Sequence, residues 1–304
     1  MPAFILKNYF LPFIILLSFN VQAQQKETLK GKIFDAETKK PIPFCTIYYL
    51  KKNVGAVTDS LGNFNLLVEN RSDSVEVSIV GYKKKRLSIS QIFQQGNTIL
   101  LDQYAIKLSD VVVSQKSKKV KKTNKEFGFY KYYRPSFSSG NGNGLGEISG
   151  IYIANTIDGN PKKIIALKYA IKSNAKALVR LQLYDKNTYT GLPGKTLIPK
   201  DLTVKVKKNQ NRLIVDISKY NIMMPSDGVF ITLQHLGELN DDGSLSNRYL
   251  NVSPQTQSFH KLNKSFSYAS FWEQPFKKIV FTSRYNSNLY RNECFGISVI
   301  EYEN

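Results

Sequence analysis

The chain contains two histidines, and the first belongs to a short pattern that could bind a metal ion. Glu238 follows His235 by three residues, and His260 is the second histidine. Imidazole and carboxylate groups are zinc ligands, and a zinc ion that keeps an open position activates water for hydrolysis. These residues are therefore the candidate metal ligands of a hydrolase. No helical segment surrounds them, however, so we favour ordinary positions at a sheet edge or in a loop.

Other catalytic patterns are missing from the sequence. No Gly-x-Ser-x-Gly motif marks a nucleophilic serine, and neither Cys45 nor Cys294 lies in a sequence typical of a cysteine protease. The glycines of 138–150 lack the flanking strand and helix of a dinucleotide-binding loop. We therefore predict a non-catalytic protein without a cofactor. The alternative is a hydrolase, either a metallopeptidase or a glycan-active enzyme, because paired carboxylates from distant strands cannot be recognised by spacing.

Aromatic residues offer one candidate binding surface. Residues 127–137 contain six aromatics, among them Tyr130, Tyr132 and Tyr133, and Trp272 is the only tryptophan of the chain. Such rings could stack on sugars, and they could equally pack in a core. We favour a core strand for the tyrosines and the core for the tryptophan, and keep all four residues as candidate ligand contacts.

Lysines offer a second candidate surface. Residues 115–125 contain no acid and six lysines, which are Lys116, Lys118, Lys119, Lys121, Lys122 and Lys125. With a net charge of +20, the chain could bind an anionic surface such as lipopolysaccharide, and each lysine near an anionic membrane contributes about 1 kcal/mol. Runs of like charge are usually solvated and disordered. We therefore favour an interdomain linker over residues 115–126.

Residues 1–23 have the composition of a secretory signal peptide. Lys7 precedes an apolar run that ends at Phe19, and Val21-Gln22-Ala23 supplies a cleavage site. The run is shorter than the roughly 20 apolar residues that a membrane span needs. We therefore expect an exported protein in the periplasm, at the outer membrane or outside the cell. We expect no transmembrane span after cleavage and no nucleic-acid partner.

The residues that would position any site form short β-prone segments. In the first half, Val75, Val77 and Ile79 alternate with polar residues, which predicts one buried face. No stretch of ten residues shows a helical period. The predicted strands of this antiparallel module are Lys30–Phe34, Phe44–Leu50, Val54–Thr58, Phe64–Val68 and Val75–Ile79.

Several spaced residues of this module form a recognisable pattern. They are Gly31, Ile33, Asp35, Pro41, Ile42, Cys45, Ile47, Gly55, Thr58–Phe64, Gly81-Tyr82 and Leu108–Val113. The pattern resembles the carboxypeptidase-regulatory-like domain, a small transthyretin-like β-sandwich, over residues 28–114. The resemblance implies an accessory module of a Gram-negative envelope protein, of the kind found beside receptor plugs, beside metallocarboxypeptidase domains or in secreted proteins.

The remaining chain, residues 127–304, also reads as a series of strands. Ala177–Tyr184 alternates in period two, and Gly228–Leu236 is predicted as a central strand. Regular turns and the lack of long helical patterns favour a larger β-sandwich. This half resembles the jelly-roll-like regions attached to such modules, a form that carbohydrate-binding modules share. Within a non-catalytic role, this half could bind a glycan through exposed aromatics or an envelope protein through a sheet edge.

The prediction is therefore an all-β protein with an N-terminal transthyretin-like or Ig-like β-sandwich and a larger, jelly-roll-like one. Its function is that of an exported binding or scaffold module. Cys45 and Cys294 fall in different domains, and an oxidising compartment permits a disulfide between them. We favour two buried thiols over a bridge.

Overall fold

The computed structural model describes residues 27–52, 54–104, 121–130, 137–138, 146–156, 158–246, 252–259, 267–271, 277–279, 281–282 and 290–303. For residues 137–138 and 252–293 only the backbone is described. The described chain is almost entirely β-structure, so the predicted fold class is confirmed. The predicted signal peptide, residues 1–23, lies outside the described residues. None of the helices in the described residues has the length and the apolar composition of a membrane span.

The first unit is a sandwich of two small sheets. Its elements are β1 (Glu27–Asp35), β2 (Thr46–Tyr49), β3 (Gly55–Val57), β4 (Asn63–Val68), β5 (Ser74–Ser78), β6 (Lys85–Ser88), α1 (Ile89–Gln94) and β7 (Thr98–Leu101). The sheets have the orders β4-β1-β7 and β3-β2-β5-β6. In β4, Phe64, Leu66 and Val68 are buried and alternate with exposed neighbours. This alternation fills the space between the sheets.

Two features of this unit differ from the sequence prediction. The module is not wholly antiparallel, because β7 pairs with β1 in parallel. A short helix, α1, also precedes β7. Ser88 caps this helix in a capping box with Gln91, and Ile89 and Ile92 are buried. At six residues α1 is too short to show a helical period, but the Ser-x-x-Gln pattern was a usable signal.

The second unit contains the remaining described elements. They are β8 (Lys121–Gly128), β9 (Phe137–Ser138), β10 (Glu147–Ala154), β11 (Lys162–Ser173), β12 (Ala177–Lys186), β13 (Pro193–Thr196), β14 (Thr203–Val206), β15 (Arg212–Asp216), a 3-10 turn (Ser218–Tyr220), β16 (Gly228–Leu239), β17 (Leu245–Ser246), β18 (Val252–Phe259), β19 (Ser267–Phe271), β20 (Lys277–Ile279), β21 (Phe281–Thr282), β22 (Tyr290–Glu293) and β23 (Phe295–Glu303).

Two sheets of this unit enclose one core. The first, called sheet F here, has the order β13-β12-β16-β10-β19-β20, and the second has the order β21-β22-β18-β11-β23-β8. Leu181 and Ile231 from sheet F pack in the same core cluster as Leu167 and Ile297 from the second sheet. At its centre the fully buried Tyr169 ring meets Phe295 edge-on at 4.7 Å between centroids. The larger β-sandwich is therefore present, and its jelly-roll connectivity stays a prediction.

Strand β8 corrects the predicted linker. Residues 121–126 were assigned to a solvated basic segment, but they belong to β8, which pairs antiparallel with β23 over its whole length. Opposite charges explain the difference. Lys121 lies 3.0 Å from Glu303, and Lys125 pairs with the buried carboxylate of Glu301. The second sandwich thus begins at or before Lys121 rather than at residue 127.

A buried ion network lies where β11, β23 and β8 meet. The side chains of Lys162 and Glu301 are both fully buried, and the Lys162 Nζ lies 3.1 Å from the Glu301 Oε1. The same ammonium donates to the Asp158 Oδ1 at 2.5 Å and to the Asn160 carbonyl at 3.0 Å. Lys125 contacts the other Glu301 oxygen. The buried pair of Lys162 and Glu301 is therefore balanced by Asp158 and Lys125, which are partly exposed at its two ends.

The two cysteines are buried thiols in separate sandwiches. Cys45 belongs to the first core, where its Sγ donates to the Ser78 carbonyl at 3.3 Å. Cys294 precedes β23 in the second unit and is 5% exposed. No disulfide joins them, so the favoured arrangement of two thiols is the one found.

Candidate binding surface

His235, the first candidate metal ligand, lies in the core-facing layer of sheet F. Its side chain is fully buried, and burial lowers the pKa of the imidazole to about 3. Pairing with β12 sets His235 opposite Val179 and Glu238 opposite Ala177, with a register shift between the two pairs. Val179 and Ala177 lie two residues apart on β12 and therefore share a face of the sheet. Because directly paired residues also share a face, His235 and Glu238 lie on the same side of the sheet.

The position of His235 corrects one expectation and leaves another open. The residue lies on β16 between β12 and β10, rather than at a sheet edge or in a loop. His260 lies outside the described residues, so the three-residue metal site stays a prediction. Within the described part of the chain, no three histidine, cysteine, aspartate or glutamate side chains are grouped to hold a metal ion.

We expect His235 to make the protein sensitive to mild acid. An unfolded imidazole has a pKa near 6.5, whereas the pKa of buried His235 is about 3. Between these values the unfolded chain binds the additional proton, so stability falls as the pH is lowered through this window. The expected loss is about 2 kcal/mol between pH 7 and pH 5. Urea unfolding at several pH values measures it.

The variant His235→Gln provides the control for this acid effect. A neutral amide takes up no proton, so its stability is expected to change little between pH 7 and pH 5. The lowered pKa values of carboxylates such as Asp216 and Asp241 affect stability only in more acidic solution. Parallel stability curves for the two proteins over this range would contradict the assignment.

Of the four aromatic candidates, the structure describes Tyr130. Tyr130 is partly buried and packs beside the β23 backbone, so that a Cβ added at Gly296 would lie 3.0 Å from the Tyr130 Cβ. Lys168 places its Nζ 5.4 Å from the centre of the Tyr130 ring. Tyr130 thus belongs to the packing around β23. The other candidates, Tyr132, Tyr133 and Trp272, lie outside the described residues.

Half of the lysine candidates are engaged within the sandwich. Besides the Lys121 and Lys125 ion pairs, Lys122 holds its Nζ 5.9 Å from the centre of the Tyr302 ring. These contacts are to β23, so this part of the run belongs to a strand, and anion binding by the exposed side chains of Lys121 and Lys122 stays a prediction. Lys116, Lys118 and Lys119 lie outside the described residues, and anion binding by them stays a prediction.

Three aromatic side chains form a row that the sequence analysis did not identify. Tyr184 on β12 pairs with Phe230 on β16, and Phe230 pairs with Tyr152 on β10. The rings of Tyr152 and Phe230 lie 4.9 Å apart between centroids. We call these residues the aromatic row. Phe230 is 1% exposed, while Tyr152 and Tyr184 are half-buried.

The aromatic row lies on the face of sheet F that points away from the core. Leu183, Ile231 and Ile153 are the chain neighbours of the three row residues, and all three pack in the core cluster. Because successive side chains of a strand point to opposite faces, the row faces away from the core. Lys186 borders the row, with its Nζ 5.4 Å from the centre of the Tyr152 ring. The row therefore combines apolar rings with a cation at one end of the sheet.

The spaced residues of the first unit have clear structural roles. Asp35 accepts hydrogen bonds from Thr38 N at 2.7 Å, from Gln103 Nε2 at 2.6 Å and from the Tyr82 hydroxyl at 2.9 Å. These bonds hold the pKa of Asp35 well below its usual value. The carboxylate thereby ties the end of β1 to the Gly81-Tyr82 pair.

The turn before β4 completes the same framework. The Thr58 hydroxyl accepts from Cys45 N at 2.8 Å and donates to the Ile42 carbonyl at 3.0 Å. Asp59 accepts from Leu61 N at 2.8 Å. Phe64 then packs its ring over Gly31, where an added Cβ would lie 2.4 Å from the ring.

This framework agrees with the family comparison. The family model described as the CarboxypepD_reg-like domain matches residues 29–113. The chain therefore carries a CarboxypepD_reg-like domain. A search of curated proteins gave no match to the chain. In this chain, the spaced residues of the CarboxypepD_reg-like domain hold turns and strands together through the contacts described above. These contacts stabilise the fold of the domain.

The CarboxypepD_reg-like domain packs against the second sandwich through one face of a sheet. Tyr48 and Val57 point away from their own core and cluster with Leu178 and Leu236 of sheet F. Arg180 reaches across this junction and donates to the Phe44 carbonyl at 2.5 Å. It also bonds Gln234 Oε1 at 2.7 Å and pairs with Asp201.

Polar contacts support the same junction from the side of the CarboxypepD_reg-like domain. Glu76 is 4% exposed and accepts hydrogen bonds from the Tyr48 hydroxyl and from the Arg86 Nε. Lys84 lies 3.2 Å from the same carboxylate. The buried charge is therefore neutralised where the domain meets its neighbour.

Proposed function

We propose that the chain is an exported, non-catalytic binding protein in which the CarboxypepD_reg-like domain supports a larger β-sandwich. The sandwich carries the ligand surface, and the accessory domain fixes its orientation. The ligand is a glycan or a protein of the cell envelope. The packing at the junction is the observation that carries this proposal.

The junction supports a shared role because its residues come from both units and are buried. Tyr48 is 3% exposed, and Leu178 and Leu236 are 1% and 0% exposed. Arg180 places three hydrogen-bonding groups in fixed directions, one of them onto the Phe44 carbonyl. Apolar packing together with a directed guanidinium favours a domain that is held against its neighbour over a freely tethered module.

The chemistry of the buried titratable groups also supports a binding role. His235 is neutral and enclosed, and Asp35 is committed to backbone and side-chain donors. The Lys162 ammonium already contacts three oxygens. Catalytic acids and bases are instead poised near neutral pKa at an accessible cleft. These groups therefore fit structural roles.

The proposal is tested with the chain lacking residues 1–23. The protein is incubated with a panel of soluble polysaccharides and with solubilised envelope proteins, and binding and product formation are measured together. We expect saturable binding that persists in high salt, with no product formed in the presence or absence of zinc. Turnover of any panel member would contradict the proposal. A basic control protein of similar net charge identifies binding that reflects charge alone.

A further inference from the structure

We propose that the aromatic row, together with the β12–β13 hairpin, binds a glycan chain whose sugar rings stack on the tyrosines. This inference rests on the proposed function and assigns its ligand class and its site. The row, the hairpin and the start of β16 lie at the same end of sheet F, because β12 and β10 end where β16 begins.

The dimensions of the row suit an extended chain of sugars. Neighbouring strands are about 4.8 Å apart, so the row extends about 10 Å from β12 to β10. Phe230 forms a buried floor between two half-buried tyrosines. In the next row, Ala154 pairs with Gly228, and neither has atoms beyond Cβ. On that side the side chain beside the rings is that of Lys186, which reaches over Tyr152.

The hairpin that follows β12 presents a fully exposed aromatic ring. Tyr189 is 97% exposed. The Asn187 Oδ1 accepts hydrogen bonds from Tyr189 N and Thr190 N, both at 3.0 Å, and Gly191 N donates to the Asn187 carbonyl at 2.8 Å. The loop is thus ordered by its own bonds. An exposed ring on a preorganised loop loses little conformational entropy on binding.

The polar groups around the row match a sugar surface. Lys186 borders Tyr152, and Thr190 follows on the same hairpin. Amphipathic rings pack on the apolar faces of sugars while such groups bond hydroxyls. A glycan that also carries carboxylates would gain from Lys186.

The distribution of exposed apolar residues favours a glycan over a protein. Among the large hydrophobic side chains that are exposed in the described residues, Tyr189 is the one at this end of sheet F. The aliphatic ones lie elsewhere, with Val54, Leu61, Leu67 and Leu100 in the CarboxypepD_reg-like domain and Ile214 on the other sheet. A stable protein interface needs a buried apolar centre of larger area.

The test compares variants of the whole chain lacking residues 1–23 in binding to neutral and acidic polysaccharides. Xylan and dextran are the neutral probes, and polygalacturonate and alginate are the acidic ones. We expect Tyr189→Ala and Tyr152→Ala each to weaken binding about tenfold. Tyr104→Ala is the matched control, because Tyr104 is 58% exposed in the other domain. Lys186→Met is expected to weaken binding to acidic probes alone if carboxylates are recognised.

The possible outcomes test the glycan inference, the choice of site and the proposed function separately. If the chain binds none of the four probes, the glycan inference is wrong, while the proposed function survives through a captured envelope protein. If a probe binds and both tyrosine variants bind it as tightly as the parent chain, the site is wrong and the function stands. Tyr189 is exposed, so its variant keeps the test valid should Tyr152→Ala fail to fold. Thermal melting of each variant verifies folding.

Discussion

Replacing Glu301 with alanine is expected to lower the free energy of unfolding by about 3–5 kcal/mol. The Glu301 carboxylate is fully buried, and it contacts both Lys162 and Lys125. Its removal leaves the buried Lys162 ammonium without one of its two anions. Stripping a partner from a buried ion pair is costly because the remaining charge cannot regain its water shell. Urea unfolding of the purified variant measures the loss.

Two further variants show whether charge burial is the cause. Glu303→Ala removes a carboxylate from the same strand, but the Glu303 side chain is 32% exposed, so we expect a loss of at most about 1 kcal/mol. The double variant Lys162→Met/Glu301→Leu removes both buried charges and is expected to recover much of the lost stability. Equal losses for Glu301→Ala and Glu303→Ala would count against the buried network.

Replacing Phe64 with alanine is expected to cost about 3–5 kcal/mol and to unfold the CarboxypepD_reg-like domain first. Phe64 is 2% exposed, and its ring fills the space above Gly31, where a Cβ would lie 2.4 Å from the ring. Gly31 has no side chain that could fill the volume left by the Phe64 ring. The cavity between the two small sheets therefore remains open. Chemical unfolding followed by tyrosine fluorescence measures the effect.

The control for the Phe64 variant comes from the same turn. Leu61 is 60% exposed, so Leu61→Ala is expected to change stability by no more than about 0.5 kcal/mol. A loss below about 1 kcal/mol for Phe64→Ala would show that neighbouring residues close the cavity. In that case the packing of Phe64 on Gly31 would not be essential to the stability of the CarboxypepD_reg-like domain.

Strands with a clear alternation were predictable from local sequence. The predicted segment Ala177–Tyr184 corresponds to β12, and Gly228–Leu236 lies within β16. Alternation is a local property, so it can be recognised without knowing the partner strand. Partner choice is not local. The parallel pairing of β7 with β1 and the pairing of β8 with β23 depend on residues far away in the chain.

The candidate site was hidden from the sequence for the same reason. Tyr152, Tyr184 and Phe230 belong to three strands, and only the register of β10, β12 and β16 brings them into one row. The ion pairs of Lys121 and Lys125 were also hidden from the local sequence, because their partners, Glu303 and Glu301, lie near the end of the sequence.

The position of β23 has a consequence for biogenesis. This strand lies between β11 and β8, yet it is the final strand of the described chain, so both neighbours keep an open edge until this last strand is available for pairing. The CarboxypepD_reg-like domain has all its strands much earlier. Newly made chains therefore pass through a half-finished stage in which unpaired edges favour chaperone capture. Truncated translation products that lack β23 are expected to be degraded rather than to persist as smaller proteins.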